Sequence, residues 1–142
     1  MQSYKNHTRF NPLQHYILAP LVITLFVWSV INIVNVKNDF GSALFFLLFS
    51  LALLILSFIT RIYATKNQDR TIRLEMRLRY FQMTGKSFQE KESQLTTAQI
   101  VALRFSSDKE LLNLIDSAIY KKLSGKEIKK CIKVWNPDYM RV

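Results

Sequence analysis

Two stretches of this 142-residue chain carry no Lys, Arg, Asp or Glu: residues 10–36, FNPLQHYILAPLVITLFVWSVINIVNV, and residues 40–60, FGSALFFLLFSLALLILSFIT. A helix rises about 1.5 Å per residue, so about 20 apolar residues cross a hydrocarbon core of about 30 Å. Both runs reach that length. A soluble helix of that length would carry charge on its solvent side. Two fully buried core helices would need surrounding protein, and this chain is too short to supply it. The pattern predicts two transmembrane helices, over residues 16–36 and 43–64, joined by a short external loop at 37–42. A cleaved signal peptide fits the first run poorly. It lies behind fifteen polar-leaning residues, its apolar part is too long, and no small-x-small cleavage pattern follows.

Charge orients the pair. The chain carries a formal +10, of which residues 61–142 hold 17 Lys or Arg against 9 Asp or Glu, a balance of +8. Lys5 and Arg9 precede the first run, and Lys37 cancels Asp39 in the link. Basic residues flanking membrane spans stay on the cytoplasmic side. Both termini are therefore expected on the cytoplasmic side of the membrane. The single cysteine, Cys131, permits no internal disulfide and reports no redox compartment.

A link this short makes the spans an antiparallel hairpin. Asp39 or Ser42 is placed to cap the second helix, Gly41 eases the turn, and Pro20 lies where a missing amide costs little. Ala43, Ser50, Ser57 and Ala64 recur every seven residues along one face of the second span. Thr24, Trp28, Asn32 and Asn35 share a side of the first. Small residues let membrane helices approach closely, and buried Asn amides in lipid need partners. Either the two spans satisfy each other or these faces dock another subunit. Phe45, Phe46, Phe49 and Phe58 face lipid or a partner.

TIRLEMRLRYFQMTGK, residues 71–86, alternates apolar and charged residues like a strand. Its Arg, Leu, Glu and Met are helix formers, however, and it has hardly any β-branching. Asp69 with Arg73 and Glu75 with Arg79 are i,i+4 acid–base pairs. The stretch is expected to continue the second helix to near Gly85, with its apolar residues split between two faces. Beyond it, Thr96 with Gln99, Ser107 with Glu110, and Ser124 with Glu127 make three capping-box patterns. They open short helices at about 97–105, 108–123 and 125–135. The middle one has an apolar face of Leu111, Leu112, Ile115, Ala118 and Ile119.

The expected fold is thus an all-α membrane protein. A two-helix transmembrane hairpin has a long second helix extending into a small cytoplasmic three-helix domain. By segment this gives an N-terminal piece (1–15), the hairpin (16–64), a basic juxtamembrane helix and linker (65–95) and the helical domain (96–142). Three blocks, NHTRFNPLQHYILAP, RLEMRLRYFQMTGK and SGKEIKKCIKVWNPDYMRV, together span nearly the whole chain in order. In them the chain resembles a family of small bacterial two-span membrane proteins described only as a domain of unknown function. The resemblance implies the architecture and the bacterial membrane. It brings no catalytic or binding residue.

The polar signals point to surfaces more than to chemistry. Lys126, Lys129, Lys130 and Lys133 fall at i, i+3, i+4 and i+7, a basic stripe opposite Ile128, Cys131, Ile132 and Trp135. That stripe is either a solvated face or a contact with headgroups, an acidic protein or RNA. Cys131 is expected to pack as a small hydrophobe. Ser124-Gly125 offers amides at a helix start, which attract phosphate. Arg70, Arg73, Arg77 and Arg79 belong to a juxtamembrane cluster, with Arg61 and Lys66, that fixes orientation and grips anionic lipid at about 1 kcal/mol per residue.

GKS at 85–87 is no phosphate loop, because Tyr80 stands where the motif needs glycine. His7 and His15 have no companion ligands in sequence, so neither a metal nor a cofactor is expected. The sequon at Asn6 lies on the expected cytoplasmic side. No Asp, Glu, Lys or Arg lies within residues 10–36 or 40–60, and two helices enclose no pore, which argues against transport by this chain alone. The expected function is a non-enzymatic membrane adaptor or accessory subunit, partnered by anionic lipid and a larger membrane protein. A membrane-tethered binder of nucleic acid or ribosomes is the alternative. Its +8 is moderate, and interleaved stacking aromatics are absent from the tail.

Overall fold

The computed structural model describes residues 11–137. Lys5, Asn6, His7, Arg9 and the closing residues 138–142 lie outside them. Every regular element among the described residues is helical: α1 (Ala19–Asn35), α2 (Phe40–Thr84), α3 (Gln89–Glu92), α4 (Thr97–Leu103), α5 (Asp108–Tyr120) and α6 (Gly125–Cys131), with a π-helical stretch Leu13–Leu18 leading into α1. The stretch at 71–80 is helix. Two compact units divide α2 between Thr65 and Lys66.

In the first unit the entry to α1 follows from two residues. The Asn11 carboxamide oxygen accepts the amides of Leu13 at 3.1 Å and Gln14 at 3.4 Å, closing the exposed start of the helix. Pro20 has no N–H to return to the Tyr16 carbonyl, and its ring crowds that position. The preceding turn widens, and the Ala19 amide reaches five residues back to the Gln14 carbonyl. The helix therefore begins earlier than the expected residue 16. The link to α2 is also shorter than expected, residues 36–39, with Asp39 as the cap: its carboxylate accepts the Ser42 amide at 3.1 Å.

Leu13–Asn35 and Phe40–Thr84 are both long and apolar enough to cross a membrane, and only 11% of the most apolar window of each is buried. Core helices of a soluble protein of this composition would bury most of that surface. What is buried is a narrow seam. Val22 and Ser29 of α1 are covered, as are Ala43 and Ser50 of α2, each pair seven residues apart. The Ser29 and Ser50 hydroxyls meet at 2.7 Å, and each lies within reach of a carbonyl of its own helix, Phe26 and Leu47. Small residues at that spacing let two helices approach closely.

The second unit builds one core from the end of α2 and the short helices. Ile72, Met76 and Tyr80 are buried with Phe88, Leu95, Ile100, Leu103, Phe105, Leu111, Ile115, Ala118, Ile128 and Ile132. Residues 65–95 therefore contribute a wall of that core as well as a connection. All three capping boxes form, at Thr96/Gln99, Ser107/Glu110 and Ser124/Glu127. On α5, Leu111, Leu114, Ile115 and Ala118 are buried, while Leu112 and Ile119 sit at the margin.

Gly85, at φ +67°, stops α2 in the left-handed conformation that favours glycine. Lys122 stops α5 the same way at φ 50°, with the Leu123 amide returning to the Ala118 carbonyl at 3.2 Å. The third short helix ends at Cys131 and not near 135, because Ile132 turns extended and the chain pairs with residues 105–107. There Ser107 N–H donates to Val134 O at 3.1 Å and Asn136 N–H to Phe105 O at 2.7 Å.

Candidate functional site

The basic residues singled out in sequence divide into two groups by what they touch. Three arginines of the second half of α2 bond to acceptors within their own unit. Arg77 grips the buried Glu92 carboxylate through two nitrogens, at 2.5 and 3.1 Å. Arg73 donates to the Thr97 hydroxyl at 2.5 Å, with Glu92 at 3.6 Å. Arg79 donates to Asp108 at 2.6 Å and to the Ser106 and Arg104 carbonyls at 2.6 and 3.2 Å. Arg73 and Arg79 thus turn to the domain, away from the within-helix pairs with Asp69 and Glu75 that their spacing suggests. Arginine suits this work because its planar fork meets a carboxylate or two carbonyls at once. Arg70 remains on the exposed side of α2.

The lysines form the second group. Lys126, Lys129 and Lys130 share one side of α6, and Lys129 lies 5.7 Å from the Phe105 ring centre, on a ring that also packs Trp135 at 5.3 Å. Lys133 is not on the helix. Its stripe position at i+7 is lost when α6 ends at Cys131, and its backbone amide bonds Glu110 at 3.2 Å. Cys131 is exposed, which corrects the expectation that it packs inward. The start of α6 is capped from within the chain. Glu127 accepts the Ser124 amide and hydroxyl, both at 2.7 Å. A Cβ on Gly125 would stand 2.8 Å from the Ala98 carbonyl oxygen, so glycine is there for close packing.

Glu110 does more than its capping-box position predicts. Its carboxylate accepts the Ser107 amide and hydroxyl at the start of α5, and also the Lys133 and Val134 amides at 3.2 and 3.0 Å. Burial pushes its carboxyl upward, but these amides and the hydroxyl outweigh it and hold the group below the ordinary value. Glu127 is likewise held low, chiefly by the Ser124 hydroxyl and amide. No sequence motif signals the Val134 contact, because it depends on the tail folding back. Gln99 has a similar second role, donating from its side chain to the Leu123 carbonyl at 2.7 Å.

In the apolar unit, Ala43 and Ser50 lie in the seam, and Ser57 accepts from the Gln14 amide group at 3.3 Å. Ala64, Thr24, Asn32 and Asn35 are exposed. Asn35 bonds its own helix at the Ile31 carbonyl, 2.8 Å. Asn32 lines a groove of about 350 Å³ with Leu25, Trp28, Phe46, Phe49 and Leu53. The four small residues of the α2 stripe are therefore used unequally, the first three against the first helical segment and Ala64 not.

Among the described residues no group of three or more His, Cys, Asp or Glu is placed to hold a metal ion. The arrangement as a whole offers contact surfaces: a groove and an apolar exterior on one unit, a cationic helix face on the other. No curated protein and no solved structure matches the chain. One family does, over residues 1–142, and the chain belongs to it: the family of unknown function DUF6526.

Proposed function

We propose that the chain is a non-enzymatic membrane adaptor or accessory subunit. In this reading α1 and the first half of α2 cross a bacterial inner membrane as a hairpin, and both termini lie in the cytoplasm. The apolar faces pack against the helices of a larger membrane protein, and the lysine face of α6 contacts an acidic protein surface or anionic headgroups. The observation that carries the reading is the contrast along α2. Its charge-free first part leaves its large apolar side chains exposed, whereas its basic second part spends three arginines on fixing a soluble core. Exposed apolar surface on that scale needs lipid or protein to cover it.

With Arg73, Arg77 and Arg79 bonded to the domain's own acceptors, the cationic contact falls chiefly to Lys126, Lys129 and Lys130 of α6, with Lys133 just beyond its end. Cross-linking in native membranes, with identification of the captured chain, tests the proposal. It predicts a larger membrane protein in stoichiometric yield. Capture of no other membrane protein contradicts it, and salt-sensitive copurification of RNA or DNA would replace it with a nucleic-acid role.

A further inference from the structure

Leu74, Leu78 and Phe81 of α2 are 62%, 58% and 56% exposed, although they belong to the part of the helix that walls a soluble core. The core face of the same segment, Ile72, Met76 and Tyr80, is buried. At about 100° per residue, the exposed three lie directly opposite the buried three. Their spacing is four then three, and extending it toward the N-terminus gives Thr71 and Asn67, both exposed. Apolar residues in a four-three repeat are what one helix presents to a like helix, since that seam stays in register as two helices wind together.

The edges of the stripe say which occupant fits. One edge carries Arg70 and Arg77, the other Glu75 and Gln82. A lipid surface would favour basic residues on both edges. In two parallel copies the residue on one edge faces the residue five positions later on the other edge of its neighbour. That rule sets Arg70 against Glu75, twice by symmetry, while Arg77, opposite Gln82, stays bound to Glu92 of its own chain. Arg70 and Glu75 stand on opposite sides of the stripe, so they do not meet within one helix.

We propose that this stripe is the seam of a parallel homodimer, in which Arg70 of one copy pairs with Glu75 of the other. The parallel sense rests on the topology proposed above, because two copies crossing one membrane the same way send their α2 helices out side by side.

The test uses the full chain in its membrane, with Cys131→Ser removing the native thiol. Single cysteines replace Leu74, Leu78 or Phe81 on the stripe, or Lys66 and Asn113 away from it, and a short bis-maleimide reports proximity. Strong dimer bands at the stripe and weak ones at the off-stripe positions are expected. Arg70→Glu and Glu75→Arg should each weaken the dimer by more than about fivefold, since two exposed attractions across the seam are replaced by two like-charge contacts. The double reversal should restore it, an outcome that a merely structural role does not produce. Equal labelling at all positions, capture of a different chain by the stripe cysteines, or failure of the double reversal would overturn the proposal. Silent stripe cysteines in a carbonate-resistant protein sink the seam alone. Cross-linked dimers that carbonate extracts sink the membrane reading and leave the seam.

Discussion

At the scale of single residues, the second unit is held by polar side chains serving two elements at once. Glu110 joins the start of α5 to the returning tail, and its low native pKa sets a sign. A group held below its ordinary value of 4.5 contributes stability that is complete above that pH and lost as pH falls through the native value. The advantage of the wild type over Glu110→Gln, read as amide-exchange protection at Lys133 and Val134, should be full at neutral pH and shrink below the ordinary value. Glu110→Ala, which removes half a capping box, should cost on the order of 1 kcal/mol.

Lys122 offers the opposite test, since a side chain at φ 50° is strained where glycine is not. Lys122→Gly should stabilise the unit by about 0.5–1 kcal/mol, less what glycine's freedom in the unfolded chain takes back. A rise in the urea midpoint would show it. A fall would mean that the Lys122 side chain holds something that its backbone geometry does not reveal.

At the scale of elements, the helices were legible where a local signal exists and illegible where a distant contact decides. The charge-free runs, the helix formers of 71–80 and the three capping boxes announce each major helix. The end of α6 does not follow from its own residues. Pairing of Val134 and Asn136 with Ser107 and Phe105 pulls the chain out of helix, and with it Lys133 off the stripe. Likewise, net positive charge on the stem is visible in sequence, but not that Arg77 closes on a buried Glu92.

Two substitutions test these element contacts. Gly125→Ala should cost about 1–3 kcal/mol, because the added carbon meets the Ala98 backbone and α6 must shift off α4. A thermal midpoint unchanged from wild type would contradict the close approach. Arg77→Ala should lower that midpoint by several degrees, leaving Glu92 with only the longer Arg73 contact, while Arg70→Ala should barely move it.

At the scale of the whole molecule, one continuous helix belongs to two units, one with an apolar exterior and one with a core of its own. Hydropathy marks that division plainly in sequence, since charge vanishes from 40–60 and returns at Arg61. The candidate surfaces were only half legible. Ser50 and Ala43 stand in the seam that their heptad spacing suggests, but Asn32 and Thr24 are exposed, Asn32 on the rim of a groove. Periodicity shows which residues share a side of a helix and is silent about what covers that side. Converting Lys126, Lys129, Lys130 and Lys133 to Glu should abolish docking of added anionic vesicles onto the protein reconstituted in neutral liposomes, at about 1 kcal/mol per residue at the surface, if the α6 face meets headgroups. Unchanged vesicle binding would assign that face to a protein.

The claim beneath all of these is that a double-pass apolar anchor holds the helical domain on the inner side of a bilayer. Protease applied to intact spheroplasts, read with an epitope at the carboxyl end, addresses it most directly. The epitope should survive until the membrane is permeabilised, in a chain that alkaline carbonate leaves in the pellet. An epitope trimmed from outside, or a chain washed into the supernatant, would contradict it.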